Sequence, residues 1–170
     1  DTAEMAFRAA MTGHQVFSTL HTNSAIRSIP RLVDLGIKPE VLAGNVIGII
    51  AQRLVRTLCK ACKAPDSPNP IEAQMLGLAP GEDLRIYRPV GCAVCEEQGY
   101  KGRLSIMELL KFDAELDELV TQRASLKAIA DHLNQNGFVP IAQDGLRRVR
   151  DGSTTVEEIG RVVDLTELLG

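Results

Sequence analysis

The chain has no tryptophan, and phenylalanine with tyrosine brings its aromatic content to only 4%. Its core must therefore be aliphatic, and it offers no stacking platform for nucleic-acid bases. Long apolar runs are missing too. The most apolar stretch, Val46 to Ile50, is closed by Gln52 and Arg53 and falls far short of the roughly 20 residues that cross a bilayer, which excludes membrane insertion. An excess of positive charge is likewise absent. The formal net charge is -3, so nothing draws the chain to nucleic acid by charge alone, and no nucleic-acid partner is expected. The opening Asp1-Thr2-Ala3-Glu4 has no initiator methionine, no basic leader and no apolar signal core. It reads as a processed chain or, preferably, as a piece of a longer one.

What is present is ordinary globular material. A hydrophobic fraction of 45% and a charged fraction of 24% over 170 residues fit one domain, or two small subdomains sharing a core. The first third reads as α/β. Ala3, Ala6, Phe7 and Ala10 recur at helical spacing, with Gly13 placed as a left-handed stop. Gln15 to Leu20 reads as a short buried strand. Asn23 or Ser24 can cap a helix through Leu35 that Gly36 ends, and Pro30 inside it predicts a kink or a restart with Ser28 as cap. A second helix is expected from Pro39 to about Ala51, then a half-buried strand over Arg53 to Leu58. Ala64 to Pro70, APDSPNP, is a breaker-rich loop, followed by a short helix over Pro70 to Leu78 capped by Asn69. The turn Gly99 to Gly102 leads into a strand over Arg103 to Leu110. From Asp113 onward four short amphipathic helices are expected to form a small bundle. Asp113 and Ser125 are their candidate caps, and Thr155 with Glu158 fits a capping box. The basic group Arg147, Arg148 and Arg150 falls in the last turns of one helix, where cations offset its dipole. His132, between Asp131 and Asn134, reads as a surface residue.

All four cysteines lie in two pairs, Cys59-Lys60-Ala61-Cys62 and Cys92-Ala93-Val94-Cys95. Zinc asks for soft ligands at tetrahedral corners, and a C-x-x-C turn places two thiolates within reach of one ion. Disulfides would call for an oxidising compartment and a secretory signal, and neither is indicated. A thioredoxin-like redox site would have one such pair at a helix start, not two far apart. The reading is a structural zinc held by Cys59, Cys62, Cys92 and Cys95. Four protein ligands leave no open position for catalysis.

The stretch TGHQVFSTLHTNSA, Thr12 to Ala25, holds two of the three histidines. On a strand, positions seven apart face opposite sides, so His14 and His21 are not expected to act on one group. His21 is the better site candidate, because ligands in α/β folds sit at the carboxyl ends of strands, where His21-Thr22-Asn23 leads into a helix.

This stretch resembles the His box of the secretion ATPases, the hexameric motors of type II secretion and type IV pilus assembly. The resemblance continues through GIIAQRLVRTLCKAC, Gly48 to Cys62, then GCAVCEEQGYKGRLSIMELL, Gly91 to Leu110, and AQDGLRRVRDGSTTVEEI, Ala142 to Ile159. The tetracysteine module is similar to that of the assembly and type II secretion branches; the pilus-retraction branch lacks it. The resemblance implies a fold: the C-terminal part of a RecA-like P-loop NTPase core (1–58), a small zinc-binding subdomain (59–102) and a strand with a C-terminal helical subdomain (103–170). It also implies that His21 approaches the γ-phosphate of ATP and relays its state to the next helix, while Thr19, Thr22 and Asn23 add polar contacts. His14 would be structural or at a subunit boundary. Arg53 and Arg56 in QRLVR, and Arg103 in GYKGR, would contribute to nucleotide or subunit contacts, a solvated strand face being the alternative. Asp1 would close an acidic box whose catalytic Glu lies upstream.

No G-x-x-x-x-G-K-[ST] loop occurs, so nothing here cradles the phosphates of ATP or the magnesium that accompanies it, and this stretch is not expected to hydrolyse ATP alone. The partners implied are neighbouring subunits of a homohexamer and an inner-membrane platform protein, with a cytoplasmic location at the membrane through those partners. A zinc-stabilised interaction or adaptor module without a nucleotide role stands as the alternative. It accounts for the cysteines but leaves the His box unexplained.

Overall fold

The computed structural model describes residues 2–169, and at 167 and 169 the backbone alone. Asp1 and its place in the acidic box lie outside the described residues. In chain order the elements are α1 (Thr2–Met11), α2 (Ala25–Asp34), α3 (Pro39–Leu42), β1 (Gly48–Leu58), β2 (Ala64–Asp66), α4 (Pro70–Met75), β3 (Ile86–Arg88), β4 (Tyr100–Lys111), α5 (Ala114–Thr121), α6 (Leu126–Gln135), α7 (Ile141–Arg150) and α8 (Val156–Gly160). Short 3-10 turns cover Ala93–Cys95 and Thr166–Leu169. Two compact units form, one from residues 1–51 with 108–139, the other from 52–107 with 140–170. The paired strands β1 and β4 contribute to both.

The first unit closes on an aliphatic core of Ile29, Leu32, Leu42, Leu110, Leu116, Ile129 and Leu133, with Phe7 and Phe112 at its edge. Ser24 caps α2 by accepting the Arg27 amide. The helix then runs continuously through Pro30, without a restart at Ser28. Ser28 is buried and returns its hydroxyl to the Ser24 carbonyl at 3.3 Å, a bond that fixes the first turn before the proline removes one donor.

Two other expectations fail here. The helix from Pro39 stops at Leu42, and Gly48 already begins β1. Gly44 sits at φ +76, a left-handed turn that a continuing helix cannot hold. The run Ile47 to Ile50 satisfies strand and helix periodicity alike over so few residues. Gln15 to Leu20 is not a strand. Neither sheet takes it in among the described residues, and Phe17 stands 86% exposed. Burying a lone extended segment would leave its backbone N–H and C=O groups unpaired, a cost that opposes the gain from its few apolar side chains.

The expected C-terminal helices all form but divide between two cores. In the first unit α5 and α6 are capped by Asp113 and Ser125. His132 is buried there at 7% exposure, with Nε2 3.1 Å from Asp113 Oδ1, which corrects the surface assignment. It lies three residues after Ile129 and one before Leu133, on the inner stripe of α6.

The second unit packs Val55, Ile86, Ile106, Leu146, Val149, Val156 and Ile159. Here α7 and α8 join β1, β4 and the small two-stranded β2–β3 sheet, in which Ala64 pairs with Arg88 and Asp66 with Ile86. Asn69 and Glu72 form a complete capping box on α4. Glu72 also holds Arg88 through two hydrogen bonds, which keeps its own carboxyl below the ordinary Glu value. On α8 only half the expected box is made. Thr155 accepts the Glu158 amide, but the Glu158 carboxylate turns to Arg56 instead of back to the cap. The α7 arginines sit in its last turn as expected; Arg150 donates to the Leu76 carbonyl at the end of α4. No helix among the described residues is long and apolar enough to cross a membrane.

Candidate functional site

The four cysteines converge. Their sulfurs all lie within 4.8 Å of one another, with Cys62 to Cys95 and Cys92 to Cys95 at 3.8 Å and Cys59 to Cys92 at 4.0 Å. Disulfides need about 2.05 Å, so these are free thiols. Zinc–sulfur bonds of about 2.3 Å at tetrahedral angles imply sulfur–sulfur edges of about 3.8 Å. The cage is already the size that one such ion requires.

Local backbone chemistry sets that size. Each Cys pair lies on a tight turn: the Cys62 amide bonds the Cys59 carbonyl, and the Cys95 amide bonds the Cys92 carbonyl. Amides also reach the sulfurs, with Gly91 donating to Cys62 at 3.3 Å, Cys92 to Cys95 at 3.3 Å and Gly99 to Cys95 at 3.2 Å. Gly99 is at φ +74, and a Cβ there would stand 2.5 Å from Cβ of Pro89. Only glycine lets the chain pass Pro89 and still aim its N–H at the sulfur.

The thiols do not ionise alike. Burial pushes Cys62 up to about 11 against the Gly91 amide, whereas Cys95, despite burial, is drawn down to about 7 by the Gly99 and Cys92 amides. Four thiolates packed this closely repel one another, and a divalent cation is what would let them all deprotonate together.

The cage is tied to the rest of its unit by bonds that bypass the sulfurs. Cys59 N–H donates to Gly99 O, Leu58 N–H to Ser153 O, and Lys63 Nζ to Gly152 O at 2.6 Å while lying 4.3 Å above the Tyr87 ring. Arg56 lies 4.2 Å over Tyr100 and bonds Glu158 through Nη2 at 2.5 Å and its own amide at 3.1 Å. Tyr100 meets Thr155 Oγ1 at 3.0 Å, and Thr154 donates to Arg56 O. Arg56 is thus committed within the second unit.

The His-box residues gather in the first unit. His21, Thr22 and Asn23 line a shallow groove of about 300 Å³ with Arg27, Pro30, Arg31, Asp34 and Leu126. His21 is exposed, and Thr22 Oγ1 sits 2.7 Å from Ser28 Oγ, inside α2. Thr19 is exposed and does not line the groove, and His14 bonds Thr12 Oγ1 at 3.1 Å. Arg53 and Arg103 belong to the second unit, where Arg103 is exposed and Arg53 donates to Gln52 O.

Sequence reasoning missed Glu108. It is 4% exposed on β4, on the same face as Ile106 and Leu110, and Oε1 accepts the Ala25 amide at 2.5 Å. The signal was legible: a charge on the apolar side of an alternating strand.

A family model described as "Type II/IV secretion system protein" matches residues 1–161. The chain belongs to this family. It is 46% identical over 162 residues to a type II secretion system protein E of Pseudomonas aeruginosa, covering 95% of this chain and 32% of that protein. It is 44% identical over 170 residues to the type IV pilus assembly ATPase TfpB of Acinetobacter baylyi, covering 98% and 29%. With the type IV pilus assembly ATPase PilB of Thermus thermophilus it shares 39% over 161 residues, covering 94% and 18%. The chain therefore spans about a third or less of these relatives. A crystal structure of the pilus retraction motor PilT with bound ADP aligns with a TM-score of 0.63 at 24% identity, over 96% of this chain and 36% of that one. The fold matches that of about a third of that chain, and in this chain the four cysteines form a cage fit for a metal.

Proposed function

We propose that this chain is the C-terminal part of a cytoplasmic hexameric ATPase that powers type IV pilus assembly or type II protein secretion, with a structural zinc in the tetracysteine cage. The observation that carries the reading is the family match over residues 1–161, joined to four sulfurs at tetrahedral spacing. Zinc supplies folding energy when bound to four thiolates and offers no open position. Cys59, Cys62, Cys92 and Cys95 would hold it.

ATP and magnesium would be gripped mainly by a phosphate loop elsewhere in the complete protein. In this reading His21 senses the γ-phosphate, and Thr19, Thr22 and Asn23 supply polar contacts around it. Arg53 and Arg103 serve nucleotide or subunit contacts. Two features of the groove support the assignment. Its basic members, Arg27 and Arg31 beside His21, suit an anion. The Thr22–Ser28 bond gives any displacement at His21 a direct route into α2. Closing and opening of subunit interfaces would then act on an inner-membrane platform protein. This stretch without a phosphate loop would not turn over ATP.

The test is the complete protein carrying His21→Gln. Hydrolysis is expected to fall about a hundredfold, while nucleotide binding and zinc content hold. Unchanged turnover with intact zinc would overturn the γ-phosphate role of His21, whereas a complete protein that neither binds nor hydrolyses ATP would favour an adaptor module.

A further inference from the structure

We infer that Glu108 is the positioning residue of the His box: its buried carboxylate anchors the first turn of α2 so that Thr22 and His21 are held at one fixed distance from that helix. The inference rests on the reading of His21 given above and adds a residue 83 positions away in the chain.

Glu108 sits between Ile106 and Leu110, both fully buried, on the core face of β4, a place where a strand normally carries an aliphatic side chain. A carboxylate that is 4% exposed is costly unless its charge is met. What meets it is the Ala25 N–H, the first amide of α2, at 2.5 Å, where the unpaired amides and helix dipole carry partial positive charge. Ala25 is itself fully buried. From that anchor the chain of contacts runs outward without a gap. Ser24 Oγ accepts the Arg27 amide and its carbonyl accepts Ser28 Oγ; Ser28 Oγ in turn meets Thr22 Oγ1 at 2.7 Å. His21 is the next residue and is exposed.

The geometry separates this from simple core support. An aliphatic side chain would fill the volume as well, but it would leave the Ala25 amide buried and unpaired and the α2 start free to shift. A charge at that point fixes the helix start by direction as well as by packing.

The experiment uses the complete protein with Glu108→Gln, which keeps an acceptor for Ala25 and loses the charge, and compares it with His21→Gln and the double variant. Positioning predicts that Glu108→Gln lowers kcat about tenfold with KM for ATP unchanged, and that adding it to His21→Gln costs nothing further. Hydrogen exchange should also quicken at residues 21–28 and stay unaltered in the second unit. Wild-type kcat, or a loss that simply multiplies that of His21→Gln, overturns the inference. If His21→Gln is itself without effect, the His-box reading fails first, and the exchange result alone decides whether Glu108 anchors the segment. Should Glu108→Gln not fold, Glu108→Asp, which keeps the charge but withdraws the oxygen from Ala25, is expected to give the same kcat loss at constant KM.

Discussion

Replacing Glu158 by alanine removes the group on which α8 and β1 meet. Its carboxylate is 6% exposed and accepts Arg56 Nη2 at 2.5 Å, the Arg56 amide at 3.1 Å and Arg161 Nη1 at 3.4 Å. Orphaning the Arg56 amide costs about 1–3 kcal/mol. Breaking a fully buried pair costs about 3–5 kcal/mol and an exposed one at most about 1. The Arg56 side chain is 40% exposed, so the ionic part belongs near the lower figure. The expected loss is about 3 kcal/mol, against about 1 kcal/mol for Glu158→Gln, which keeps an acceptor for the amide. The assay suits the chain well. With no tryptophan and with both tyrosines, Tyr87 and Tyr100, in the second unit, tyrosine fluorescence in urea reports that unit alone.

The pH dependence has a definite sign. The hydrogen bond from Arg56, outweighing burial, holds the Glu158 carboxyl below its ordinary value. A group depressed in the folded state contributes fully above its unfolded pKa, near 4.3 for Glu, and the contribution fades as pH falls through the lower folded value. The gap between wild type and Glu158→Gln, read in matched samples, should stay constant above about pH 5 and close below about pH 4. A loss under about 0.5 kcal/mol for Glu158→Ala at pH 7, or a gap that persists in acid, would refute the assignment of this pair as a stabilising one.

Native mass spectrometry is expected to show one zinc per chain, lost with acid or chelator and absent from Cys92→Ser; a metal-free chain with wild-type tyrosine fluorescence and urea midpoint would contradict a folding role for the metal. Gly99→Ala forces a Cβ to 2.5 Å from Pro89 at a left-handed φ, and should cost more than about 2 kcal/mol while releasing zinc to a competing chelator faster than wild type. Wild-type stability and retention in that variant would mean that the Gly99 amide has no part in holding Cys95.

Much of the site was legible in the sequence because its chemistry is local. Two C-x-x-C turns announce a cage wherever they are brought together, and Asn69, Asp113, Ser125 and Thr155 announce helix starts through side chains that reach only three residues along. Other elements were hidden for the same reason in reverse. Gln15 to Leu20 has a strand's composition but no partner among the described residues, and a strand is a property of two chains of atoms, not one. Ile47 to Ile50 is too short for its period to separate helix from strand, and a left-handed Gly44 settles the matter only once its φ is seen. His132 looked solvated beside Asp131 and Asn134 until Asp113, from another element, closed on its ring.

The sequence by itself determined the aliphatic core, the caps, the family and the four cysteines that cluster, because each is written in residue type at short spacing. Only the tertiary structure decided that Glu158 serves Arg56 and not its own helix cap, that Arg56 is spent inside the second unit, and that Glu108 reaches the start of α2. Those partners lie 83 and 102 positions apart. A charge's neighbour at that distance is chosen by which faces the core brings together, and no periodicity along the chain records it.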